Sequence, residues 1–237
     1  MGSSPFAVYG KMISTIFSLR GLTRSIEAGL PLMFTGLAVA LGYRMNLNNI
    51  GADGQYALGA IFCVGVGLYG PPMPARLKII VMFAAAMLGG ALAALIAAVP
   101  RALWNVSETI LTMMLNYVFL NVLNYLMYGP WKELNQMVAQ TREIDSSLWL
   151  PEFGNTGISL ALLIAFAIAF LAYLNPLSTV LVAFLLGALQ ISAVAVQITG
   201  VPSQVATMIQ GSIMLFVIAG EFFIRYRLVK VQKGEAA

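Results

Sequence analysis

Residues 153–220 read FGNTGISLALLIAFAIAFLAYLNPLSTVLVAFLLGALQISAVAVQITGVPSQVATMIQGSIMLFVIAG and contain no Asp, Glu, Lys or Arg. A helix crosses a bilayer with about 20 mostly apolar residues at about 1.5 Å each, so this stretch holds more than one crossing. Its punctuation divides it. Proline lacks a backbone N–H and disfavours helix in the residue before it, which places one break at Asn175-Pro176 and a second at Gly200-Val201-Pro202-Ser203. Three spans are expected, near 157–174, 177–198 and 204–224.

Outward from this run the same logic applies. Hydrophobic residues make up 60% of the 237 positions and charged residues 9%, against roughly 25% charged residues in soluble domains. Such a chain cannot cover a water-facing surface, and its charges gather in short clusters that read as loops. The intervals 28–43, 54–75, 79–100 and 109–131 are free of charge and supply further spans. Pro71-Pro72-Met73-Pro74 forces a tight turn between the second and third, and Gly129-Pro130 closes the fourth. The expected fold is all-α, a polytopic transmembrane helical bundle of about seven spans.

Three domains follow. Residues 1–27 form an amphipathic interfacial segment, since Phe6, Val8, Met12, Ile13 and Ile16 alternate with Lys11, Ser14 and Arg20. Residues 28–224 form the transmembrane domain, with one substantial aqueous loop near 132–152. Residues 225–237 are a basic tail carrying Arg225, Arg227, Lys230 and Lys233. Basic residues beside spans favour the cytoplasmic side. The C-terminus is therefore expected inside, 101–108 inside and the 132–152 loop outside. An odd number of spans puts the N-terminus outside, and without a recognisable signal peptide this implies a preceding helix.

Several function classes are excluded by what is absent. Histidine does not occur and Cys63 is the sole cysteine, which removes the commonest metal ligand and general base. There is no G-x-x-x-x-G-K-[ST], H-E-x-x-H, C-x-x-C or G-x-S-x-G, so neither an enzyme site nor a cofactor in this chain is expected. The net charge of +4 is scattered and forms no basic stripe, which argues against nucleic acid as a partner. Membrane lipid is the partner the composition demands.

Two polar clusters interrupt the apolar text. Asn46-Leu47-Asn48-Asn49-Ile50-Gly51-Ala52-Asp53-Gly54-Gln55 disfavours regular helix. Irregular backbone at membrane depth survives only where protein or a water-filled cavity satisfies it, as in transporter pathways. A polar surface loop is the other reading, and both stay open at this level. The second cluster, Asn105-Val106-Ser107-Glu108-Thr109, can cap the helix that follows through Ser107 or Asn105, with Glu108 in its first turn. Capping leaves Thr112 and Asn116 unexplained. They share a face at i, i+4, with Asn124 about 80° further round at about 100° per residue, and either interhelical hydrogen bonding or substrate contact would account for them.

At these clusters the text resembles a known family. Asn49-Ile50-Gly51-Ala52-Asp53-Gly54-Gln55 is similar to the "F-N-I-G-A-E-G-Q" signature of permease subunits of ABC importers in the branched-chain amino acid, ribose and nucleoside group. Residues 108–117, ETILTMMLNY, resemble that group's "N-E-x-I-x-T-x-M-L-N-Y", most typical of nucleoside-type permeases. Asn175-Pro176-Leu177 and Ile209-Gln210-Gly211 are similar to later segments. Asn48 stands in place of the usual Phe, Asp53 of the usual Glu and Ser107 of the usual Asn.

The resemblance implies a transmembrane subunit of an ATP-driven importer for nucleosides or a similar small polar solute, in a bacterial inner membrane. ATP would bind a partner, a cytoplasmic ATPase subunit. A second permease subunit would complete the pathway, and an extracytoplasmic substrate-binding protein would deliver solute. Asn49, Asp53, Gln55, Glu108, Thr112 and Asn116 would line or shape that pathway. The resemblance also implies a coupling segment and two helices between residues 174 and 175, so the chain reads as shortened. A non-transporting membrane scaffold is the alternative.

Overall fold

The computed structural model describes residues 5–133, 140–152, 158–171 and 176–197, together with residues 208, 211, 212, 215 and 216. The fold is all-α and polytopic. Among the described residues there is no strand, only isolated bridges between Lys132 and Thr141 and between Glu152 and Ser159. In chain order the helices are α1 (Pro5–Ile16), α2 (Leu19–Arg44), α3 (Ala52–Tyr69), α4 (Ala75–Trp104), α5 (Glu108–Tyr128), a 3-10 turn (Ser146–Leu148), α6 (Ala161–Leu171) and α7 (Pro176–Gln197).

Helices α2, α4 and α5 are long and apolar enough to cross a membrane. The expected breaks at 45–51, 70–74 and 129–130 all separate helices. The boundaries differ where local chemistry decides them. Residues 19–27 are the first turns of α2. Ser18 ends α1 and starts α2, its Oγ accepting from Gly21 N–H at 3.0 Å, so the apolar segment inherits a charged beginning at Arg20, Arg24 and Glu27. Helix α4 continues through Pro100 to Trp104. The α6 span is described over 161–171. The junction at residues 174–175 and the basic tail lie outside the described residues, and the span expected near 204–224 is described only at the five positions named above.

The chain divides into two compact units, residues 1–29 with 182–237, and residues 30–181. In the first, α2 and α7 meet through small residues. A Cβ on Gly29 would lie 2.7 Å from Ala183 O, and Gly187 lies against Ser25 O and Gly29. Ser25 and Ser192 are buried there, and the Ser192 hydroxyl donates to Ala188 O. In lipid, where helices gain little from hydrophobic association, close backbone approach of this kind supplies the attraction.

In the second unit α3 and α4 form a hairpin across Pro71–Pro74, and α5 packs on α3. Gly59 and Gly89 let α3 and α4 touch. A Cβ on Gly89 would come within 2.9 Å of Leu58 O and 3.1 Å of Gly59 Cα. Asn105, left-handed at φ 53°, ends α4, its N–H donating to Arg101 O, and turns the chain into α5. Ser107 takes the N-cap position of α5 but makes no side-chain cap.

Candidate functional site

The polar insertion folds into a hydrogen-bonded knot at one end of α3. Helix α2 stops at Arg44 because the next residues turn back on it. Met45 N–H and Leu47 N–H both donate to Gly42 O, at 3.0 and 2.9 Å, and Asn46 takes the left-handed conformation at φ 55°, which asparagine tolerates better than most residues. The chain then runs without regular structure to Gly51.

Asn49 organises that segment. Its Oδ1 accepts from Gly51 N–H at 2.9 Å, a local turn that positions the start of α3. Its Nδ2 donates to Gln55 Oε1 at 2.9 Å, and Gln55 Nε2 returns a 3.4 Å contact to Asn49 Oδ1. Two amides facing each other satisfy donor and acceptor together, the arrangement that makes a part-buried polar pair tolerable.

The knot is tied to α5 by its backbone. Ile50 N–H donates to Thr112 Oγ1 at 3.3 Å, and the Thr112 hydroxyl donates on to Glu108 O at 2.7 Å. Thr109 Oγ1 donates to Asn48 O at 3.4 Å. Thr112 is only 5% exposed. Glu108 is held in turn by an ion pair with Arg101, which closes the α4–α5 turn.

Close approach of α3 to α5 rests on two glycines. A Cβ on Gly51 would lie 2.6 Å from Thr112 O, and one on Gly54 would lie 2.7 Å from Asn116 Cα. Asn116 Oδ1 is buried against Gly54 with no hydrogen-bond partner among the described residues.

Of the six residues singled out from the sequence, Asn49, Gln55 and Thr112 therefore converge through side-chain and Ile50 backbone hydrogen bonds. Glu108 joins through its carbonyl, and Asn116 abuts the same helix start. Asp53 is exposed and stands apart from these bonds. Sequence reasoning passed over Gly51, Gly54 and Arg101. A signal was present in the Gly51-x-x-Gly54 spacing at a helix start, which puts two small residues on one face.

The other end of α3 is built differently. Trp131 stacks on Tyr69 with ring centroids 5.8 Å apart and planes inclined by 38°, and its ring lies 3.5 Å from where a Gly65 Cβ would be. Ile144 fills the space beside Gly67. Leu148 is buried, and Trp149 Nε1–H donates to Ile144 O at 3.2 Å. Asp145 caps the 3-10 turn by accepting from Ser147 N–H at 3.0 Å. Hydrogen bonds from Ser147, backbone first and hydroxyl second, hold the Asp145 carboxyl below the usual carboxylate range, with Lys78 adding to the effect. The expected 132–152 loop is thus an ordered cover on α3 and α4 over its described part.

A glucose ABC transporter permease protein of Haloferax volcanii is 36% identical over 148 residues, covering 62% of this chain and 39% of the relative. A nucleoside ABC transporter permease protein of Lactococcus lactis is 28% identical over 162 residues, or 65% of this chain and 44% of the relative. A guanosine ABC transporter permease protein of Bacillus subtilis is 37% identical over 97 residues, or 40% and 27%. The chain spans less than half the length of each of these relatives. No solved structure matches it. Residues 21–148, which include α3, α4, α5 and the whole hydrogen-bonded knot, match the family described as branched-chain amino acid transport system permease component. The chain belongs to that family of membrane transport subunits.

Proposed function

We propose that the chain is the transmembrane subunit of an ATP-driven importer for nucleosides or a similar small polar solute. The family match over 21–148 carries this reading, and relatives described as nucleoside and guanosine permeases support the solute class. The relatives' description as ABC transporter permeases supports an ATPase partner, a cytoplasmic subunit on which ATP acts. A second permease subunit completes the pathway, and a binding protein delivers solute to the 132–152 side. The membrane is the bacterial inner membrane, with the basic tail cytoplasmic.

In this reading Asn49, Asp53, Gln55, Glu108, Thr112 and Asn116 shape the pathway. The other five hold the start of α3 against α5, leaving Asp53 free to meet water or solute. Uptake of labelled uridine by cells carrying the complete transporter tests this. Asn116→Leu and Asp53→Ala are expected to lower uptake, and unchanged transport in both removes the six residues from the pathway.

The mutual satisfaction of Asn49, Gln55 and Thr112 also favours a second reading, a non-transporting scaffold whose polar groups only lock helices together. Co-purification decides between them. A transporter subunit retains an ATPase, whereas a scaffold emerges without one.

A further inference from the structure

Helices α4 and α5 both present long exposed faces, and the chemistry of the two differs. Past its charged first turn, between residues 79 and 100, the exposed residues of α4 are all apolar, with Ile80 and Met87 among the most open. On α5, Tyr117, Asn121, Asn124 and Tyr128 are all exposed, the two phenols at 65% and 70%. At about 3.6 residues per turn these four positions fall within about 60° of one another. Thr112 and Phe119, the buried residues of α5, lie on the opposite side. The amide groups are not fully consumed internally. Asn121 Nδ2 donates to Tyr117 O at 2.8 Å, leaving its Oδ1 open, and Asn124 has no side-chain hydrogen bond among the described residues.

Asn121 stands one turn past the middle of α5 and Asn124 one turn before its end, and an exposed carboxamide within a spanning helix is costly against hydrocarbon and finds partners only in protein or water. The apolar face of α4 between residues 79 and 100 carries no such demand. Resting on the transport reading above, we propose that the Tyr117–Asn121–Asn124–Tyr128 stripe is the solute-contacting wall of the pathway. Its amides offer donors and acceptors to hydroxyl and carbonyl groups, and its phenol rings offer flat apolar faces with a polar tip. The stripe carries no charge. Its ligand is an uncharged, ring-bearing solute rich in hydrogen-bonding groups, the chemistry shared by a nucleoside and a hexose, and not a phosphorylated one. Thr112 and Asn116, one turn away on the packed side, hold α5 in place so that this stripe faces the path.

Single cysteines at 121 and 124, in the complete transporter with Cys63→Ala, test the stripe by their reaction with a membrane-impermeant methanethiosulfonate, with Met87→Cys on α4 as reference. Asn124→Cys and Asn121→Cys are expected to react at least about tenfold faster than Met87→Cys, because a thiol in water ionises and one in hydrocarbon does not. Uridine or glucose, each added separately, slows the reaction if it is the solute bound, and tells the two sources apart. Asn124→Leu is expected to raise the KM of uptake about tenfold, the loss of one well-made hydrogen bond. Reaction no faster than at position 87 overturns the proposal, as does a disulfide between two copies at position 124, which would make the stripe a subunit contact. Fast reaction that neither solute slows overturns the solute contact. Failure of the transport reading is separate: it shows as absent uptake by the unsubstituted transporter, whereas the labelling rates report on the stripe whether or not uptake occurs.

Discussion

The two ends of α3 are fastened by opposite means. At its start, Asn49, Gln55, Ile50 N–H and Thr112 form directional hydrogen bonds, and Gly51 and Gly54 bring α5 to backbone distance. At its end, Trp131 covers Gly65 and Tyr69, and Ile144 covers Gly67, with apolar surface. Hydrogen bonds tolerate little displacement before a donor is left unpaired, whereas apolar contact changes gradually as side chains shift. The start of α3 is therefore the rigid reference of this unit, and the end is the adaptable one.

Filling the backbone contact should break the contrast most severely. Gly54→Val forces α3 from α5 and is expected to cost about 2–3 kcal/mol, as overpacking does, seen as a lower melting temperature of the purified protein. If melting is unchanged, the Gly54–Asn116 approach does not define the unit.

At the adaptable end, Trp131→Ala is expected to cost about 1.5 kcal/mol, since the aromatic contact on Tyr69 is only partly covered. It should expose the 132–152 loop to limited proteolysis while leaving the α3–α5 contact intact. Loss of that contact too would show the two ends to be one cooperative structure.

A smaller effect sharpens the amide pair. In a double-mutant cycle, Asn49→Leu and Gln55→Leu are expected to couple by about 1 kcal/mol. Additive effects on melting would show that the reciprocal hydrogen bonds contribute nothing beyond each residue's own packing.

The smallest effect is a pH response confined to the loop. The folded-state pKa of Asp145 is depressed, so its capping contribution is complete above the unfolded carboxylate pKa of about 3.9. It is lost as pH falls through the still lower folded value. Trp149 fluorescence, read with the other tryptophans replaced by Phe, is expected to change in that acid range and to lose the change in Asp145→Ala. A transition that survives the substitution would assign it to another carboxylate.

How much of this was legible beforehand differs by region. The existence of α2 to α5 followed from apolar intervals, because crossing a bilayer depends on a sum over about 20 residues and forgives single errors. The break at 45–51 was legible in its asparagines and glycines, and the family signatures lay on the residues that form the knot. The start of α2 at Leu19 was not legible, since charges at a helix end read as a loop until the Ser18 cap is seen. Nor was the role of Trp131, which depends on Gly65 and Tyr69, more than sixty residues earlier in the chain.

The amino-acid sequence by itself determined that this protein is an all-α membrane protein, where its main helices lie and which polar residues are out of place among apolar ones. Only the tertiary structure decided what those polar residues face. On a spanning helix both the lipid-facing side and the packed side are apolar, so periodicity does not distinguish them. Asn116 and Asn124 are the same residue type on the same helix. The close approach of Gly51 and Gly54 turns the first toward α3 and leaves the second exposed.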